Sequence, residues 1–303
     1  MTTLSPSVAR LALALATSLW GGNLIAGRLL GGMIDPVSLT LFRWGGALII
    51  LLPFTASELW RQRHVLKAHW PALAALGCTG LGGFHLLQYA ALAHTTAVNV
   101  ALQASTMPLI IAFLSWVLFR EPLSGAALAG ILLSIVGALI VICRGDISIL
   151  LALQVNRGDL FEALALPFWS LYCVLLRFRP NQLSPLAFIV ATIVPAWLLA
   201  LAVSVFTPTV IELTPQSVVG LAYIILFASV VAYICWNAGN RALGANKAGM
   251  FLNVIPFAGA VLGVLILGET FEGYHVVAGA LIVTGIVLAE RKPLSWRSQP
   301  RTP

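Results

Sequence analysis

Charge is what this sequence has least of. Only 9% of its 303 residues are Asp, Glu, Lys or Arg, against about a quarter in soluble domains, while 60% are hydrophobic. A water-soluble core does not account for that balance. Acidic residues number ten and fall in loops or near the ends of apolar runs, Asp159 and Glu162 coming closest to an intramembrane pair. A polytopic membrane enzyme would need a nucleophile with its base, a carboxylate pair or a metal cluster inside the spans, and none is present. The five histidines show no H-E-x-x-H spacing, and Cys78, Cys143, Cys173 and Cys235 show no C-x-x-C spacing. Metal and redox roles are therefore not expected, no cofactor is implied, and buried thiols are the default.

What the chain has in abundance is long apolar runs. A run of about 20 residues spans a bilayer's hydrocarbon layer, and ten can be marked: Ala9 to Leu29, Pro36 to Phe54, Trp70 to Ala91, Val98 to Phe119, Ala126 to Cys143, Leu160 to Leu176, Pro185 to Phe206, Val218 to Ala238, Ala248 to Leu267 and Tyr274 to Ala289. Backbone groups in lipid need internal partners, so unalternating runs this long predict helices and not barrel strands. The fold class is all-α integral membrane. Nine runs follow the first, so Arg10 and the apolar stretch after it are read as a retained helix and not a cleaved leader.

The net charge of +7 would suggest nucleic acid in a soluble protein, but here it marks a membrane side. With the N-terminus inside, thirteen basic residues fall in cytoplasmic segments and only Arg28, Arg144 and Arg157 outside, Arg43 lying within a span. Both termini are predicted cytoplasmic, and the polar tail 291–303 is predicted unstructured. No nucleic-acid partner is expected; the partners are the bilayer and a small-molecule solute, and a monomer is the simplest expectation.

Compared with itself, the chain repeats at an offset of 148 residues: Pro108 onto Pro256, Arg120-Glu121 onto Gly268-Glu269, Gly125 onto Gly273, Gly137 onto Gly285. Earlier in each half the offset is 149, pairing Trp20 with Trp169 and Asp35-Pro36 with Ser184-Pro185. The repeats are assigned to 1–145 and 158–290. Five spans is an odd number, so the second repeat must enter the membrane inverted, an arrangement that favours alternating access around a central cavity.

Leu19-Trp20-Gly21-Gly22-Asn23, Leu41-Phe42-Arg43, the Phe119-Arg120-Glu121-Pro122 ending of the fourth run, and Leu252 to Glu269 with Asn253, Pro256 and Gly268-Glu269 resemble the drug/metabolite transporter superfamily. More narrowly, the chain resembles ten-helix EamA-type exporters, above all the aromatic amino-acid exporters of the YddG type. The resemblance spans nearly the whole chain and implies efflux of amino acids or related metabolites across a bacterial inner membrane.

Candidate route residues sit at repeat-related positions. Trp20 and Asn23 share a helix face, as do Trp169 and Tyr172. His85 and Tyr89 map onto Tyr233 and Asn237, with Trp236 beside them, and Asn99 and Gln103 form a further stripe with Met107. The aromatics offer flat apolar contact; Asn23, Gln103, Asn237 and His85 could orient amino or carboxylate groups. Packing competes with contact for Tyr172 and Tyr233, and helix–helix glue competes with lining for Asn99. His85 is the strongest functional candidate, since ionisable residues within a span face a cavity or a partner. Arg43 resembles the family's helix-two Arg and needs carbonyls, an anion or water. Pro108 and Pro256 are hinges or fixed kinks, and Glu121 and Glu269 caps or inter-helix partners. Gly259 to Gly263 and Gly80 to Gly83 allow close backbone approach. With no Asp or Glu near the centre of any run, facilitated diffusion is expected, proton antiport being the alternative. A channel or a scaffold would differ by unsaturable flux or by none.

Overall fold

A computed structural model describes residues 4–30, 32–95, 97–152, 156–207, 210–267 and 270–289. Glu269 and the tail 291–303 lie outside the described residues. Among the described residues, nine helical stretches are long and apolar enough to cross a membrane, and Gly273–Ala289 is a shorter apolar tenth. In chain order the helices are α1 (Pro6–Leu30), α2 (Pro36–Arg61), α3 (Arg63–Leu76), α4 (Phe84–Leu92), α5 (Ala97–Ala104), α6 (Met107–Phe119), α7 (Gly125–Ile142), the short α8 (Ile147–Leu151), α9 (Arg157–Leu175), α10 (Pro185–Ser204), α11 (Pro215–Tyr223), α12 (Ala232–Leu243), α13 (Ala245–Met250), α14 (Val254–Leu267) and α15 (Gly273–Ala289). The fold is an all-α, multi-pass membrane bundle.

Several spans are single rods with an internal fault. A π-helical segment, Gly77–Gly83, joins α3 to α4, and another, Ile224–Val231, joins α11 to α12. The offset of 148 carries the first onto 225–231, so the fault itself is repeated. A π turn widens the helix, shifts its hydrogen-bond register and re-aims carbonyls, and such turns gather at functional sites. The fourth and ninth spans break at repeat-related places too, between α5 and α6 and at the 3-10 turn Phe251–Asn253 before α14. Pro108 therefore does not kink a continuous helix: it lies in the first turn of α6, where the missing N–H costs no bond.

The repeat is also visible in the caps. Asp35 caps α2, accepting from the N–H groups of Val37 and Ser38, and Ser184 caps α10, with Pro36 and Pro185 following. Each cap reaches into the other half. Asp35 accepts from Val210 N–H at 2.9 Å, and Ser184 donates from its N–H and hydroxyl to Glu58 at 2.7 and 2.6 Å. Burial works against the Asp35 charge, but bonds from Ser38, Val210 and Val37 outweigh it and hold its pKa below the usual carboxylate value.

The contact between α7 and α15 shows how the halves are related. A Cβ on Gly130 would lie 2.4 Å from the Gly285 carbonyl, and one on Gly137 would lie 2.8 Å from that of Ala278. Offset 148 maps Gly130 onto 278 and Gly137 onto 285, so the two contacts exchange under one two-fold, the mark of a self-complementary interface. Advancing from 130 to 137 runs back from 285 to 278, so the helices are antiparallel and the second repeat is inverted. Gly130→Val is expected to cost about 3 kcal/mol through overpacking, whereas Gly125→Val, whose Cβ would meet nothing within 4 Å, should be near neutral. Melting of both variants in detergent checks this; equal losses would mean the glycine contact does not hold the halves.

Candidate central site

At the middle of the bundle, aromatic rings from five spans interlock. Trp20 of α1 stands edge-on to Trp169 of α9 and Tyr233 of α12, at centroid distances of 5.1 and 5.5 Å. Trp236 closes on both indoles at 5.3 and 5.7 Å. Trp44 of α2 meets His85 and Tyr233 at 5.4 and 5.3 Å. Such edge-to-face pairs add about 0.5–1.5 kcal/mol each beyond area burial, so the layer is a stiff one.

The π segments supply the polar fittings. Ala228 O accepts from Trp20 Nε1 at 2.9 Å and from Arg43 Nη2 at 3.1 Å. Gly80 O, its counterpart at offset 148, accepts from the Tyr233 hydroxyl at 3.2 Å. Leu81 O accepts from Trp44 Nε1 at 2.8 Å and from His85 Nδ1 at 3.0 Å. Because a carbonyl only accepts, His85 carries its proton on Nδ1, and a neutral ring keeps Nε2 as an acceptor. The Gly80 position is also a close approach, since a Cβ there would fall 2.1 Å from the Tyr172 ring.

Arg43 is wholly buried. Its Nη1 donates to the Tyr89 hydroxyl at 2.9 Å, its guanidinium lies 5.0 Å from the Trp44 ring centre, and its Nε has no partner. No ion pair to Arg43 is found among the described residues. A cavity of about 70 Å³ adjoins it, walled by Trp20, Asn23, His85, Gln88, Trp169 and Tyr233 among others. That space admits a few waters and not an indole. Facing the same region, Asn23 Oδ1 and Trp169 Nε1 have no hydrogen-bond partner. Aromatic walls, a fixed cation and unpaired donors and acceptors thus surround a small central cavity.

Comparison with known proteins agrees with this architecture. Residues 8–143 and 156–290 each match the EamA-like transporter family. The chain belongs to that family. It is 29% identical to the uncharacterized transporter YyaM of Bacillus subtilis (strain 168), over 85% of each chain. It is 29% identical to the aromatic amino acid exporter YddG of Ancylobacter novellus, over 85% of this chain and 88% of that one. A solved crystal structure shares the fold with a TM-score of 0.76 at 23% identity, covering 94% of this chain and 98% of the other. The protein is thus a multi-pass transporter of the EamA family acting on small molecules, and not an enzyme.

Within this EamA transporter the residues singled out from the sequence divide into three groups. Trp20, Asn23, His85, Trp169 and Tyr233 line the cavity, with Arg43. Tyr89, Tyr172, Trp236 and Asn237 form its supporting wall, Tyr172 donating to Asn237 Oδ1 at 2.6 Å. Asn99 and Gln103 turn elsewhere, donating to Asp159 Oδ1 at 3.0 and 3.5 Å alongside Thr95 at 2.8 Å. Glu121 pairs with Arg177, joining the end of α6 to the turn after α9. Pro256 lies in the first turn of α14 and lines the cavity.

Phe84 and Gln88 line the cavity without having been expected there, and Trp44, equally unexpected, stands in the aromatic layer against His85 and Tyr233. Trp44 carried a signal, because an indole N–H in mid-span must find an acceptor. The other surprise is Glu162, which is 0% exposed with neither carboxyl oxygen hydrogen-bonded. Gln88 on the cavity wall is its polar neighbour, short of good hydrogen-bond geometry.

Proposed function

We propose that this transporter exports small amphipathic metabolites, aromatic amino acids foremost, by alternating access across a bacterial inner membrane. The observation that carries the reading is the central seat: packed indoles and phenols beside a buried Arg43 that pairs with no carboxylate among the described residues, and unpaired Asn23 and Trp169 atoms. The rings suit a flat apolar side chain, Arg43 and the Trp169 N–H suit its carboxylate, and Asn23 Oδ1 with His85 Nε2 suits its ammonium. The YddG relative's name points to the same class of solute. Because the cavity is too small for such a solute here, binding requires the halves to part, and the paired π segments are the natural places for the spans to flex.

The charge distribution supports a cytoplasmic N-terminus and C-terminus, and the internal offset with the two family matches supports repeats bounded at 1–145 and 158–290. Asp35 and Ser184 then clamp the halves on opposite faces of the membrane. Labelling of a cysteine placed in the 55–69 loop from the outside would overturn this topology.

The test of function is flux of aromatic amino acids in proteoliposomes of the purified protein. Trp169→Ala and Trp20→Ala are each expected to raise the half-saturating concentration about tenfold, matching loss of about 1.5 kcal/mol of ring contact. Gln103→Ala, at the Asp159 cluster, should change it less than threefold. No flux above empty liposomes would sink the exporter reading, and unchanged kinetics in both Trp variants would reduce the rings to packing.

A second reading, export by proton antiport in place of facilitated diffusion, is favoured by Glu162. The facilitated-diffusion expectation rested on the lack of a carboxylate near the route. Glu162 is such a carboxylate, one α-helical turn beyond Asp159 on α9 and behind Gln88 of the cavity wall.

A further inference from the structure

A second cavity lies on the other side of the aromatic layer, and the exporter's central site does not use it. It measures about 270 Å³, larger than the central one, and is walled by the end of α9, the turn after it and the junction of α12 and α13. Progress along two helices fixes the relation. On α9, Trp169 lines the central cavity and Cys173, one turn on, lines this one; on α12, Tyr233 lines the first and Asn240, two turns on, the second. Between them stand Trp236 and the bond from Tyr172 to Asn237.

The wall is cationic. Arg177, Arg179 and Arg241 line it, and no acidic residue does among the described residues. Arg177 is paired with Glu121, and the other two guanidinium groups have no carboxylate partner among the described residues. Arg241 donates to Asn181 Oδ1 at 2.7 Å. Arg179 is only 8% exposed, its face lies over the Phe188 ring at 4.7 Å, and its Nε has no partner. Burial first, and the nearby Arg241 charge second, both lower the pKa of Arg179 from the usual guanidinium value. Asn240, also buried, leaves its Nδ2 donor unpaired. A guanidinium does not shed its proton, so the buried Arg179 beside the exposed, like-charged Arg241, with idle donors around them, favours an anion with several acceptor oxygens.

We propose that this pocket is a receiving site for the carboxylate of the solute, held by Arg179 and Arg241 with the Asn240 amide before the aromatic layer opens. The inference rests on the exporter reading and sharpens it: the solute must carry an anionic head as well as a ring. Passage then moves the carboxylate from this pair of guanidinium groups to Arg43, with Trp236 and the Tyr172–Asn237 bond as the partition to be displaced. Decarboxylated amines of the same ring size lack the group that the pocket takes.

Calorimetric titration of the purified protein in detergent tests the pocket without requiring transport. The probes are 3-phenylpropionate, a ring with a carboxylate, and phenethylamine, the same ring with an amine. Arg179→Gln and Arg241→Gln are each expected to weaken 3-phenylpropionate binding about tenfold and leave phenethylamine unaffected, while Arg179→Lys keeps part of the affinity and serves as the folding control. Equal weakening for both probes, or none, overturns the proposal. So does loss of 3-phenylpropionate binding in phosphatidylglycerol but not phosphatidylcholine vesicles, which would make the pocket a lipid-headgroup site. Carboxylate binding that depends on Arg179 with no amino-acid flux in proteoliposomes upholds the pocket and sinks the exporter. Flux with Arg179-independent binding does the reverse.

Discussion

Arg43→Met is expected to lower export at subsaturating substrate by about tenfold to a hundredfold while the protein remains in the membrane in normal amount. The guanidinium is wholly buried, its Nη groups are occupied by the Tyr89 hydroxyl and the Ala228 carbonyl, and Nε is idle. Two neutral acceptors do not balance a full charge in a medium of low polarity, so the site is poised for an anion. A charged hydrogen bond to a carboxylate contributes about 1.5–3 kcal/mol, which is the stated range in affinity. The same side chain ties α2 to α4 and to the π segment of the second half, so its loss also loosens the coupling of the halves. Arg43→Lys keeps the charge but cannot reach Tyr89, Ala228 and a carboxylate together, and should recover only part of the rate. Initial-rate kinetics in proteoliposomes decide it: wild-type kinetics in Arg43→Met would make the guanidinium a packing element.

The spans and their repeat were legible because lipid imposes a simple rule on composition and because Pro, Gly and Glu landmarks recur at a nearly constant offset. The π segments were not. Gly77–Gly83 has four glycines and Ile224–Val231 has none, so the shared feature lies in hydrogen-bond register and not in residue type. Pro108 was legible as a break but not as the start of a new helix, since a run of apolar residues hides an end. For Asn99 and Gln103 the i, i+4 spacing correctly placed both on one face. Spacing says nothing about which neighbour that face meets, and the neighbour is Asp159. The aromatic residues fared better because rings in mid-span have few places to go other than against one another.

Glu162 shows the limit of reading depth from position along a run, and Glu162→Gln is expected to have the clearest effect on energetics of any single change. It stands near the start of α9, where an apolar run gives way to polar residues, yet it is 0% exposed and both oxygens lack a hydrogen bond. An ionised carboxylate so placed would cost several kcal/mol, so the group is held as the neutral acid in this arrangement. The elements packed on α9 offer little to stabilise a charge. Helix α4 brings His85 and Tyr89, the first π segment Cys78, and α13 Lys247; α3 carries Arg63, His64, Lys67 and His69 in its first two turns. Helices α5 and α6 bring no titratable group, Asp159 is engaged by Thr95 and Asn99, and His94 stacks on Phe161. A proton must therefore bind Glu162 from water as the bundle adopts this arrangement and return to water when the other arrangement wets it, so falling pH favours the present one. Wild-type protein is accordingly expected to drive aromatic amino acids against their gradient when a pH difference is imposed. Glu162→Gln, neutral at every pH and of the same shape, should still allow flux down a solute gradient but lose the pH-driven accumulation. Accumulation that persists in Glu162→Gln would free Glu162 of the role, and wild-type flux indifferent to the pH difference would return the transporter to facilitated diffusion.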